Sequence, residues 1–124
     1  YSLREVSASV GVLIEQRNHD ALRLMLEYVA AKWPRHWMIA YALAEIAYQD
    51  NQDDALPRSV ELLIDALSLR PDHLPLLRLL LARMEEGGYD TAVLSDVLAQ
   101  QFGLTIEALA AEPPPSVARM LGFA

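Results

Sequence analysis

Apolar residues recur along the chain at intervals of three and four, the spacing that places them on one face of an α-helix. The pattern is interrupted by short polar turns and by proline or glycine, which end helices. Strong helix formers are abundant and strand formers are sparse, so an all-α fold is expected. Eight helices are predicted, over residues 2–16, 21–32, 36–49, 57–69 (or from just before Pro57), 74–86, 91–101, 106–111 and 117–121.

Two stretches of the chain repeat the same pattern 37 residues apart. Residues 30–36 and 67–73 each form the end of a predicted helix, a Pro-x-His turn and the start of the next helix, with Pro34 matching Pro71. A helix pair that recurs at this period is the signature of an α-solenoid, in which units stack because none can bury its apolar face alone.

The second unit resembles a tetratricopeptide repeat (TPR), with small residues where two helices cross and a closing proline. The period is longer than the usual 34 residues of that family, because of the turn at residues 50–56. The positions that carry the resemblance are Leu43-Ala44, Ala66 and Pro71 in the second unit, Val10-Gly11 and Pro34 in the first, and the turn 87–92 in the third.

The resemblance implies a right-handed α-α superhelix, or solenoid, of about three antiparallel helix pairs with a C-terminal capping segment. The units are expected at about 1–36, 37–73 and 74–104, followed by a capping helix and Pro-rich tail at 105–124. In that family the first helix of each unit lines a concave groove that binds a partner segment. The corresponding positions are Glu5, Ala8, Val12 and Glu15, then Met38, Tyr41, Glu45 and Tyr48, then Leu77, Leu81 and Met84. The apolar third-unit face can equally be covered by the chain's own residues 105–124.

Charge narrows the class of partner. The net charge is −7 and the pI is near 4.8, which argues against nucleic acid as a partner. No cation occupies the groove positions with which some TPR proteins hold a carboxylate. A partner protein or peptide with basic or apolar residues is therefore expected, and a homo-oligomer stays open.

Catalytic and metal-binding patterns are weak in this sequence. It contains no cysteine, no Ser/His pair in a recognisable turn and no Gly-rich phosphate loop, so we expect no enzymatic activity and no cofactor. Asp50, Gln52, Asp54 and Glu61 have spacings reminiscent of a calcium loop, but the glycine of that motif is replaced by Ala55. We interpret them as a solvated acidic turn. We interpret the three histidines as structural turn residues, so no metal is expected.

The favoured function is that of a scaffold or adaptor module for protein–protein interaction. Two alternatives stay open: a helical accessory domain of a larger bacterial enzyme, such as a transferase, and a TPR-type secretion chaperone. The Leu/Ala/Arg bias indicates a GC-rich, bacterial genome, and the initial Tyr suggests a piece of a longer chain. The longest apolar stretch is too short to cross a bilayer and no signal peptide is evident, so a cytoplasmic location is expected.

Overall fold

The computed structural model describes residues 1–124, which form helices joined by turns. This confirms the all-α prediction, and every predicted helix is present. The fourth helix includes Pro57 in its first turn, where proline is tolerated. The helices are α1 (Leu3–Glu15), α2 (His19–Lys32), α3 (Trp37–Gln49), α4 (Ala55–Leu69), α5 (Leu74–Glu86), α6 (Ala92–Phe102), α7 (Ile106–Ala110) and α8 (Val117–Leu121).

Side-chain caps set where most of these helices begin. Ser2 and Glu5 form a reciprocal capping box on α1, which satisfies two backbone N–H groups that lack helical partners. Thr105 and Ser116 cap α7 and α8, accepting hydrogen bonds from Ala108 and Arg119 N–H at 3.0 and 3.2 Å. α2 begins two residues earlier than the predicted start at residue 21. Its cap is Asn18, whose side chain accepts from the Ala21 N–H.

His36 and His73 play the same structural role at equivalent repeat positions. The Nδ1 atom of His36 accepts from Met38 N–H at 3.0 Å, and that of His73 accepts from Leu76 N–H at 3.2 Å. Each histidine thus caps the helix that follows its Pro-x-His turn, which confirms their interpretation as structural turn residues.

Contacts at both ends of α3 and α5 show that these two helices run in the same direction. Near their starts, the rings of Trp37 and His73 lie 4.8 Å apart. Near their ends, Tyr48 Oη donates to Glu86 Oε1 at 2.7 Å. The amide of Gln49, the last residue of α3, donates to the carbonyl of Ile14 at the end of α1 at 3.0 Å. Its oxygen lies 2.8 Å from the His19 ring, so the end of α1, the start of α2 and the end of α3 meet at one place.

The buried apolar side chains form two clusters. The main one joins α1 through α5 with Met120 and Leu121 of α8, and a smaller one joins α5, α6 and α7. The C-terminal segment Ser116–Ala124, here called the tail, therefore packs back against the start of the chain. Gly11 of α1 marks this approach, because a Cβ atom there would lie 3.2 Å from Leu121 Cδ1.

Candidate interaction surface

Five of the eleven residues assigned to the groove are buried by the chain itself. Met38, Tyr41, Leu77, Leu81 and Glu45 are each less than a tenth exposed. The structure corrects the expectation that these side chains offer an accessible surface, because neighbouring helices cover them.

The third-unit face is covered as the self-capping alternative expected. Leu77 and Leu81 of α5 lie in the same buried cluster as Leu98 of α6 and Leu109 of α7. α5 is nearly apolar on all sides, and the chain itself buries its apolar side chains. Met84, at the end of this face, is half-buried and packs against both clusters.

Glu45 belongs to a buried ion pair that joins three helices. Arg83 Nη2 of α5 lies 2.8 Å from Glu45 Oε1 of α3, and Arg83 Nη1 donates to Ser59 Oγ of α4 at 2.6 Å. Each charged side chain is less than a tenth exposed, so removing either partner would leave an uncompensated charge. Burial and, secondarily, the negative charge of Glu45 raise the pKa of the Tyr41 hydroxyl.

Tyr48 lies beside this ion pair and contacts Arg83. Its ring lies 3.5 Å from the guanidinium carbon of Arg83, a cation–π contact, and it remains 37% exposed. The hydrogen bond to Glu86 and, to a smaller extent, burial raise the pKa of the Tyr48 hydroxyl. Tyr48 is therefore the assigned aromatic residue that a partner can still reach.

The four assigned residues of α1, which are Glu5, Ala8, Val12 and Glu15, are all exposed. Ala8, Val12 and Glu15 line an open cleft between α1 and the tail, whereas Glu5 lines a different cleft. The cleft has a volume of about 560 Å³ and carries a cation, Arg4, toward the start of α1 and an anion, Glu15, toward its end. Its wall consists of Arg4, Ser7, Ala8, Gly11, Val12 and Glu15 from α1 and Ala118, Leu121, Gly122 and Ala124 from the tail. This surface, called the α1–tail cleft, brings together residues that the sequence assigned and residues that it did not.

A second exposed surface lies on the outer side of the first helix pair. Leu24 is 67% exposed there, and a cleft of about 460 Å³ is lined mainly by apolar residues, including Tyr1, Met25 and Tyr28. The groove positions predicted from the sequence include Glu5 but no other residue of this surface. An outward-facing Leu24 beside inward Leu22 and Leu26 was the available signal.

The end of the tail is held by residues near the start of α3 and α5. The Phe123 ring stands edge-on to the His73 ring at 5.3 Å, and Arg70 Nη1 donates to the Phe123 carbonyl at 3.0 Å. His73 is buried, and its Nε2 has no hydrogen-bond partner. Burial and then the nearby Arg70 charge lower the pKa of His73 from 6.5 to about 4.

The acidic turn lies apart from these surfaces. Asp50, Gln52 and Asp54 border a small cleft together with the cations Arg23 and Arg58. Nearby cations oppose the binding of a further cation, which favours the interpretation as a solvated turn. No group of three or more His, Asp or Glu residues is placed to hold one metal ion.

Comparison of the chain with family models, with curated proteins and with solved structures finds no match. None of the eight helices combines the length and the apolarity required to cross a membrane.

Proposed function

We propose that this protein is an interaction module that binds a segment of another protein in the α1–tail cleft. The observation that carries the proposal is the cleft itself: an open concavity with apolar Ala8 and Val12 along its wall and charged Arg4 and Glu15 beside them. Binding sites commonly combine an apolar lining with a few polar groups that fix orientation. A partner segment with an acidic residue near Arg4 and a basic residue near Glu15 complements this charge pattern.

We further propose that the helices form TPR-like units in a right-handed solenoid. The parallel course of α3 and α5 supports this, as does the register between them. The contacts Trp37–His73 and Glu45–Arg83 join residues 36 and 38 positions apart. Both separations are close to the 37-residue period of the Pro-x-His turns. Of the helices that would line the concave side, α1 bears the α1–tail cleft.

The exposed outer surface of the first helix pair favours a second candidate, the helical accessory domain of a larger bacterial enzyme. Tyr1, Leu24 and Met25 expose apolar area that a stacked helix of the same or another chain would cover. A secretion chaperone is a third candidate, with an apolar export substrate in the α1–tail cleft.

Matched surface substitutions test the proposed function. Val12 in the cleft and Ile64 on α4 are both 51% exposed. Val12→Glu and Ile64→Glu therefore introduce the same negative charge at equally exposed positions. The affinity-tagged 124-residue chain is used to capture proteins from a bacterial lysate, as the wild type and as each of the two variants. We expect a stoichiometric partner whose recovery falls at least about tenfold with Val12→Glu, which corresponds to about 1.4 kcal/mol, and is unchanged with Ile64→Glu. Equal recovery by both variants, or no stoichiometric partner, would overturn the proposal.

A further inference from the structure

We infer that the tail is a displaceable occupant of the partner site. We further infer that the partner presents a short helix with two adjacent large apolar residues, followed two positions later by an aromatic residue. This inference rests on the proposed function and specifies its ligand. The chain itself carries that pattern at Met120, Leu121 and Phe123, and the structure shows where each of the three side chains lies.

The two adjacent apolar residues occupy the inner part of the site. Met120 and Leu121 are almost completely buried in the main cluster, which includes Val10 and Ile14 of α1. Gly11 lets the tail approach, since a side chain larger than a methyl group in the middle of α1 would displace Leu121. A glycine inside a helix costs stability relative to alanine, so its presence at this crossing is consistent with a surface shaped for a close neighbour.

The aromatic residue occupies a separate subsite. His73 and Arg70 contact Phe123 through its ring and its carbonyl oxygen, and Arg70 also lies over the Trp37 ring. Together, His73 and Arg70 recognise an aromatic side chain and the carbonyl oxygen of the same residue. Neither contact depends on the covalent link between the tail and the rest of the chain, so a segment of another protein with the same pattern can make both.

Several features favour reversible docking. Burial of Met120 and Leu121 stabilises the docked tail by about 3–6 kcal/mol in total, and the conformational entropy lost when the tail becomes ordered opposes this gain. α8 spans five residues, too few for a helix to persist without packing. The Pro113–Pro115 linker before it is exposed or half-exposed, and the nearby ion pair Arg78–Glu112 is 3.5 Å long with Glu112 mostly exposed.

The α1 wall of the α1–tail cleft continues beyond the tail to Glu15, and this wall stays in place when the tail leaves. A partner helix longer than α8 would therefore bury Val12 in addition to the surface that the tail now covers. The tail is tethered, so its effective concentration at the site is in the millimolar range. The extra contact with Val12 adds affinity that allows a partner to compete with it.

The test uses full-length chain and a fluorescent peptide with the sequence of residues 112–124. The double variant Met120→Asp/Leu121→Asp disfavours docking of the attached tail, because two carboxylates would have to be buried. Fluorescence anisotropy is expected to show that this variant binds the peptide at least tenfold more tightly than the wild type. Adding Gly11→Leu to it should abolish binding. A peptide in which the residues matching Met120, Leu121 and Phe123 are alanine serves as the control.

The inference is overturned if the folded double variant binds the peptide no better than the wild type, or if Gly11→Leu and the alanine peptide make no difference. Should the double variant fail to fold, amide hydrogen exchange of the wild-type chain decides instead. The amides of Met120, Gly122, Phe123 and Ala124 donate within the tail and should exchange by local opening, at least about 100-fold faster than those of α3. Exchange at the same rate as α3 would overturn the inference.

The two proposals can fail separately. If the tail never leaves its site but Val12→Glu still abolishes partner capture, the proposed function stands and the displacement is wrong. If the peptide binds as expected but Val12→Glu captures the same proteins as Ile64→Glu, the tail site stands and the proposed function is wrong.

Discussion

The side chains of Glu45, Arg83 and His73 carry ionisable groups and are buried where helices meet. Glu45 and Arg83 satisfy each other across α3 and α5. His73 caps α5 with one ring nitrogen and leaves the other without a partner between Trp37 and Phe123. Each of them makes the stability of the protein sensitive to a single substitution or to a change of pH.

The first prediction concerns pH. Because the folded-state pKa of His73 is about 4 and the unfolded value is 6.5, the unfolded chain binds this proton more strongly. The stability due to neutral His73 is therefore complete above about pH 6.5 and is lost as the pH falls toward 4. Urea unfolding should show a loss of about 2 kcal/mol between pH 7 and pH 5, a range above the ordinary pKa of most carboxyl groups.

The control is His73→Asn, which retains an N-cap acceptor and removes the titrating group. Its free energy of unfolding should change much less between pH 7 and pH 5 than that of the wild type. An equal pH dependence in both proteins would contradict the assignment of the effect to His73.

The second prediction concerns the buried ion pair. Arg83→Met strands the Glu45 carboxylate and should lower the free energy of unfolding by about 3–5 kcal/mol. The double variant Glu45→Leu/Arg83→Met removes both charges and should be more stable than the single variant. Arg78→Met is the matched control on the same helix. Its pair with the mostly exposed Glu112 is 3.5 Å long and should contribute no more than about 1 kcal/mol. A loss equal to that of Arg83→Met would argue against the role of burial.

The burial of single residues was only partly predictable from sequence. Tyr41 and Tyr48 are seven positions apart on one face of α3, and the repeat pattern assigned both to a groove. Tyr41 is 1% exposed and Tyr48 is 37% exposed. Periodicity identifies the face of a helix, but what covers each position on it comes from α5 and the tail, which are distant in sequence.

At the scale of helices, local signals were sufficient for most boundaries. The polar caps Ser2, Thr105 and Ser116 and the stop at Gly103, which adopts a positive φ of 62°, are readable from residue type alone. The start of α2 was not, because Asn18 and Asp20 are both good caps and the choice between them depends on the preceding turn. That turn contains Arg17 at a positive φ of 56°.

The third prediction belongs to the crossing of α1 and α8. In Gly11→Ala the new Cβ meets only the flexible end of Leu121, and alanine favours the helix by about 1 kcal/mol, so the free energy of unfolding should stay the same or rise. Gly11→Leu instead displaces Leu121. Limited proteolysis should then cleave residues 112–124 faster than in the wild type, and an unchanged cleavage rate would show that the crossing is not close.

At the scale of the whole molecule, the parallel course of α3 and α5 agrees with the recurrence of the Pro-x-His turn 37 residues apart in the sequence. The return of the tail to α1 had no such local signal. The sequence left open whether residues 105–124 cover the apolar third-unit face, and α7 does so through Leu109. α8 packs against α1, because the proline-rich linker that precedes α8 extends beyond α5. This long-range contact defines the α1–tail cleft and with it the proposed partner site.

Methyl NMR of the full-length chain during titration with the captured partner tests this account most directly, because it reports the cleft, the tail and a distant surface together. The methyl resonances of Val12 and Leu121 should shift as the partner binds and displaces the tail, while those of Ile64 on α4 should stay in place. Shifts at Ile64 with Val12 and Leu121 unmoved would contradict the claim that the partner binds in the α1–tail cleft.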